Sequence, residues 1–218
     1  MNNPREVTQP MIPSARSGRR DFLAAASLAA CLPATVARAA ELTEDQAKTF
    51  IEQTSRDLTA AINGSGNAQQ KAASLAAIVD RAVDVMTIGR FCLGRFWRKA
   101  TPAQQTEYLE LFHRVLVLNI TGKVGDYEGV TIAVQKAAAR EDGVGVITSV
   151  SRPNNAPNRV DWLVSAESGS PKVIDVIAEG TSLRLTQRND YMSYLTKNND
   201  AVQSLIDALR KQAAAPQG

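Results

Sequence analysis

The residues best suited to chemistry are few. His113 is the only histidine, and the two cysteines are Cys31 and Cys92. Zinc, iron–sulfur and haem sites need several such ligands at short spacings, and this set does not supply them. His113, between Phe112 and Arg114, reads as a structural residue, and Cys92 in the run "FCL" as a small buried hydrophobe. No glycine-rich phosphate loop follows a strand, and there is no Gly-x-Ser-x-Gly nucleophile elbow. Paired carboxylates would suit glycosidic or isomerase chemistry if they met in a cleft. Asp161, Asp175 and Glu179, however, alternate with apolar neighbours, which predicts a shared, solvated outward face of a sheet. Asp84 is the carboxylate that a small isomerase or hydratase would use. Among cations, Arg184 and Arg188 lie four apart, and Arg90, Arg95, Arg98 and Lys99 form a second cluster. Both groups suit a phosphate or an acidic partner surface, and both suit an ordinary solvated face.

The first forty residues are read apart from the fold. A polar start, Arg19 and Arg20, an apolar run from Phe22 to Ala30 and the small-residue pattern Ala37-Arg38-Ala39 predict an export signal over 1–39. The arginine pair ahead of Asp21, Phe22 and Leu23 looks like a twin-arginine signal, which would place the mature protein in the periplasm. "LAAC" at 28–31 resembles the box before a lipid-modified cysteine, but the apolar "LPATVARAA" that follows supplies its own cleavage pattern. The expectation is therefore a soluble mature protein rather than a lipoprotein through Cys31. Removing 1–39 takes five of the 25 basic and two of the 22 acidic residues, leaving 20 of each. The sequence pI near 9.0 thus belongs largely to the signal, and a nucleic-acid partner held by phosphate contacts is not expected.

These side chains need elements to hold them. "TEDQ" at 43–46 is a capping-box pattern ahead of Ala47, Ile51, Thr54, Leu58 and Ile62 at helical spacing, and "NGSGN" ends that helix. Asn67 opens a second helix. Thr101, Pro102 and Gln104 start the longest one, which carries Tyr108, Leu111, Phe112, Val115 and Leu118. Beyond residue 129 the period changes to two. Four strands follow, around Val130–Val134, Val144–Val150, Val160–Val164 and Ile174–Ala178, joined by connections short enough for a meander. Residues 182–211 return to helix in two pieces broken at "KNND", and 212–218 read as a disordered tail. The fold class expected is α+β: one domain over 40–211 with a curved four-stranded antiparallel sheet wrapped by helices around an apolar pocket, an NTF2-like cone.

Three blocks resemble the periplasmic phospholipid-carrier family of the Mla lipid-asymmetry pathway, also described as toluene-tolerance auxiliary components of an ABC transporter. "LGRFWRKATPAQQTEYLELF", 93–112, is similar to the family's Leu-Gly-Arg-aromatic-Trp run followed by Thr-Pro-x-Gln. "VIDVIAEGTSL", 173–183, resembles its Asp-Val-x-x-Glu-Gly-x-Ser-Leu, and Gln187, Arg188 and Tyr191 stand where it has aromatic-Arg-x-x-Phe. Lys172 occupies a position where many members carry tryptophan, and Gln187 replaces an aromatic residue. These departures leave room for a variant, for example one associated with hopanoid lipids.

The resemblance implies a shuttle for phospholipid between an outer-membrane lipoprotein complex and an inner-membrane ABC transporter complex, with no enzymatic step, cofactor or metal. The pattern of the strands places Val146, Thr148, Val150, Trp162, Val164, Val176 and Ala178 on the inner sheet face. Leu93, Phe96, Trp97, Tyr108, Phe112 and Val115 are expected to oppose them from the helices. Each is a candidate lipid contact or an ordinary core residue. Arg95, Arg184 and Arg188 are the candidates for the head group or a partner. The competing reading is an NTF2-like isomerase or hydratase built on Asp84.

Overall fold

The computed structural model describes residues 41–215. The expected export signal, with its arginine pair and Cys31, lies outside the described residues, as do positions 216–218.

The helix starts follow from local hydrogen bonding. Helix α1 (Glu44–Asn63), α2 (Ala68–Ala82) and α4 (Pro102–Thr121) each begin with a complete capping box, on Thr43/Gln46, Asn67/Gln70 and Thr101/Gln104 respectively. In each, two backbone donors that the helix leaves unpaired are satisfied reciprocally. Between α2 and α4 lies α3 (Val85–Leu93), whose N-cap is Asp84: its carboxylate accepts from the Thr87 amide at 2.9 Å. A short 3₁₀ turn, Gly94–Arg98, then leads into α4.

Five strands follow, β1 (Thr131–Arg140), β2 (Gly143–Ser151), β3 (Asn158–Ser165), β4 (Lys172–Ala178) and β5 (Thr181–Ser182), in an open antiparallel meander of that order. The expectation of four strands is corrected by β5, which pairs Thr181 and Ser182 with Ala178 and Ile177. It is too short for any period-two signal. The turn before it is made by Glu179 and Gly180, both with positive φ (52° and 80°), as a tight hairpin requires.

Helices α5 (Leu183–Lys197) and α6 (Val202–Ala214) close the chain. Helix α6 runs on to Ala214, past residue 212 where a disordered tail was expected to begin. Ala213 is buried against the helical core, and alanine is the best helix former.

The apolar side chains separate into distinct bodies. One is helical, built from α3, α4, α5 and α6 around Leu93, Phe96, Tyr108, Phe112, Leu195, Ile206 and Leu209. The other lies between α1 and the sheet, where Ala47 and Ile51 cover Val144, Val146, Val164 and Val173. Leu75, Ile78 and Ala82 of α2 pack on the far side of α1 with Phe50, Leu58 and Ile62.

Candidate functional site

Strand register decides which side chains share the inner sheet face. Ile132 stands opposite Val150, Val134 opposite Thr148, Val146 opposite Trp162, Thr148 opposite Val160, and Val160 opposite Ala178. One face therefore carries Ile132 and Val134, then Val144, Val146, Thr148 and Val150, then Val160, Trp162 and Val164, and then Val176 and Ala178, with a single hydroxyl among them. That hydroxyl, on Thr148, is fully buried. It donates to the Val160 carbonyl and accepts from the Trp162 indole N–H, each at 3.0 Å. The indole's one polar atom is thereby satisfied, and its ring is left as apolar wall.

Cover over this face is uneven. At the Val144–Val164 end the residues are buried under α1. Trp162 and Val176 are half-buried and pack against that cluster. At the other end Val150, Val160 and Ala178 are half-buried, and none of the three apolar clusters among the described residues includes them. Helix α1 lies chiefly over β1, and Asn63 at its end is fixed to the strand's start: its amide donates to the Val130 carbonyl at 2.9 Å and accepts from the Gly129 N–H at 2.8 Å. The inner ends of β2, β3 and β4 thus present an apolar strip that the protein's own core leaves partly bare.

The six helix residues expected to oppose the sheet are not brought to it. Leu93, Phe96, Tyr108, Phe112 and Val115 are buried in the helical core, and Trp97 is half-buried against it. The Tyr108, Phe112 and Tyr191 rings meet with centroids 5.9 to 6.3 Å apart, and the Tyr108 hydroxyl donates to the Gly89 carbonyl at 2.9 Å. Burial raises both tyrosine pKa values. The reason for this arrangement lies in α6, whose Val202, Leu205, Ile206, Leu209 and Ala213 form a helical stripe that needs a partner and takes these residues. That stripe was the available signal in the sequence.

The cations are also largely committed within the fold. Arg184, 13% exposed at its side chain, bonds Asp142 at 2.9 Å and lies 4.4 Å from the Phe91 ring centre. Arg188 covers the same ring at 4.8 Å and donates to the Phe91 carbonyl at 2.8 Å. Together they fasten α5 to α3. Arg95 is exposed, stacked 4.9 Å over Phe96, with no carboxylate at ion-pair distance among the described residues.

The acidic residues part company. Asp161 keeps the outward face, and bidentate bonds from Arg159 hold its carboxyl below the usual range. Asp175 is not solvated as expected but 5% exposed, because α5 packs over that part of the sheet. It accepts from the Ser182 hydroxyl at 2.6 Å and from the amides of Val176 and Arg184 at 2.8 and 3.1 Å. Glu179 sits exposed in the turn. His113 pairs with Asp80 at 2.6 Å on the surface.

Among the described residues, an open groove between α1 and β1 and another between α3 and α4 are lined by none of the residues expected to touch lipid. The larger, about 660 Å³, runs between α1 and β1 along Glu52, Ser55, Arg56, Thr59, Asn63, Ile132 and Val134. The smaller, about 370 Å³, separates α3 from α4 at Val85, Met86, Leu109 and His113. Ser55 Oγ is buried without a hydrogen-bond partner, a state that costs about 1–3 kcal/mol.

A family model described as MlaC protein matches residues 48–211. Among solved structures, the chain is similar to the phospholipid-binding protein from Ralstonia solanacearum, determined in complex with a phospholipid. The identity is 26% and the TM-score 0.66, over 77% of this chain and 97% of that one. With the fold, the three sequence blocks and a match spanning most of the chain in agreement, this protein belongs to the MlaC family.

Proposed function

We propose that the protein is a periplasmic phospholipid carrier that holds acyl chains against the bare end of the inner sheet face and moves lipid between an outer-membrane complex and an inner-membrane ABC transporter complex. The observation that carries this reading is the apolar strip of Val150, Val160, Trp162, Val176 and Ala178, left half-buried on the inner sheet face. Family membership and the phospholipid in the Ralstonia solanacearum relative support it. In this reading the sheet and its surrounding helices form the hollow of a cone, and the head group stays near solvent. The ordered Thr148–Trp162 pair keeps the wall dry.

Energetics favour release at a membrane complex over release into water. Sheltering a chain of roughly fifteen methylenes at about 0.8 kcal/mol each stabilises it by about 12 kcal/mol relative to water. Escape without a second apolar surface is then very slow. No step of this cycle makes or breaks a covalent bond, and Asp84, the carboxylate an isomerase would use, serves as the N-cap of α3.

Val160→Asp tests the strip. Because Val160 is only half-buried, the melting temperature should shift little while phospholipid co-purifying with the protein falls to a small fraction of the wild-type amount. Wild-type lipid content in a folded Val160→Asp variant would remove the sheet face from the binding site.

A further inference from the structure

The groove between α1 and β1 adjoins the bare strip, and its two walls differ in kind. One wall is Ile132 and Val134 of β1, on the inner sheet face. The register carries that apolar wall across the sheet: Ile132 stands opposite Val150, and Val134, Thr148, Val160 and Ala178 follow one another from strand to strand. The other wall is the stripe Glu52, Ser55, Arg56 and Thr59 of α1, at the three- and four-residue spacings of one helix face. A molecule whose apolar part lies on the strip therefore meets a polar wall at the α1 side.

Three groups on that wall are uncommitted. Ser55 is 4% exposed and its hydroxyl has no hydrogen-bond partner, whereas buried hydroxyls ordinarily find one. Its neighbour Thr54 does so, donating to the Phe50 carbonyl at 2.9 Å. Glu52, half-buried, and Arg56, exposed, are in no ion pair among the described residues. Arg56 donates from one guanidinium nitrogen to the Gln53 side chain at 2.8 Å. The nearby carboxylate of Asp57 is taken by Arg81. A carboxylate and a guanidinium thus stand four residues apart, with Cβ atoms about 5–6 Å from each other, and the buried hydroxyl lies between them in sequence.

We propose that this wall holds the polar end of the phospholipid and that the head group it fits is zwitterionic, of the phosphoethanolamine class. The phosphate lies beside Arg56, the ammonium beside Glu52, and a glycerol ester carbonyl accepts from Ser55 Oγ. The proposal rests on the carrier reading and adds a preferred lipid class to it. Selection comes from the pairing of opposite charges. A phosphate alone is attracted by Arg56 and repelled by Glu52, whereas phosphoethanolamine presents a charge to each, two carbons apart. Phosphoglycerol keeps the phosphate and gives Glu52 no cation.

The test incubates delipidated protein with vesicles of equimolar phosphatidylethanolamine and phosphatidylglycerol carrying the same acyl chains, re-isolates it and quantifies the extracted lipid by class. The expected result on the wild type is an enrichment of phosphatidylethanolamine of about threefold, which an exposed ion pair supplies. Glu52→Gln abolishes the enrichment, while Glu167→Gln, the same charge change in the exposed β3–β4 loop, keeps it. Arg56→Gln lowers uptake of both lipids, which share the phosphate. Ser55→Ala is read by melting: the stripped variant melts above the stripped wild type, and loading raises it less, whereas a merely structural hydroxyl would shift both states alike. Should Glu52→Gln fail to fold, N-acetylated phosphatidylethanolamine, which lacks the ammonium, carries the comparison on the wild type and is expected to load no better than phosphatidylglycerol. Wild-type protein that takes up the two lipids in the vesicles' own proportion overturns the proposal and leaves the carrier reading standing, and uptake of neither overturns both. Enrichment that survives Glu52→Gln or N-acetylation also overturns the proposal.

Discussion

At Asp175 a carboxylate 5% exposed accepts from one hydroxyl and two amides, and it lies 3.7 Å from the Arg184 guanidinium. It joins the last long strand to α5, because Ser182, which donates to it, is also the N-cap of that helix. Asp175→Ala leaves one hydroxyl and two amides without their acceptor while Arg184 keeps Asp142, so a loss of about 1–3 kcal/mol is expected in denaturant unfolding. A loss below about 1 kcal/mol would mean the joint is held by packing alone. Cys92, fully buried, has its thiol pushed up to about 12 by burial, against a lowering influence of Arg184 and Arg188. The unfolded thiol ionises near its ordinary value of 9.0 and the folded one does not. The folded state therefore binds more protons in that window, and stability falls as pH rises from about 9 to about 12. Cys92→Ala should flatten the first part of this alkaline decline in pH-dependent melting, and native protein at pH 8 should resist alkylation by iodoacetamide until it is unfolded.

Among the elements, the turn from α3 into the 3₁₀ segment depends on Gly94, at φ 56° and ψ −129°. A Cβ there would also meet the Arg188 guanidinium carbon at 3.2 Å. Gly94→Ala is expected to destabilise by about 1–3 kcal/mol and to loosen α5, read as faster amide exchange in Leu183–Arg188. The sequence made the elements themselves plain where their signals are local: the boxes at Thr43 and Thr101 start helices where expected, and alternation from Val144 to Val150 marks a strand. Asp175 was assigned its correct face but the wrong environment, since nothing near it in the chain reveals that α5 lies across that face. The pairing of helix residues with each other rather than with the sheet was hidden for the same reason. Leu93, Phe96 and Tyr108 look equally apolar against either partner, and only the competing stripe of α6 decides. The strip at Val150 and Val160 was legible as a face, whereas its partial cover depends on where α1 lies.

For the whole molecule, the consequence is a division of labour. The helical body is closed by its own aromatic and aliphatic contacts, and the α1–sheet body leaves one end of its apolar face uncovered. A protein that only had to be stable would gain by burying Val150, Val160 and Ala178, since each exposed apolar square ångström forgoes about 25 cal/mol. On the account given above, phospholipid supplies that burial, and the loaded protein should melt higher than the stripped one, with a gap that widens as free lipid is added. The most direct measurement is native mass spectrometry of the protein purified without detergent, followed by solvent extraction and analysis of the released lipid. The account predicts a mass above that of the polypeptide by one phospholipid, recovered at a lipid-to-protein ratio near unity. A clean polypeptide mass, with no uptake after incubation with phospholipid vesicles, would contradict it.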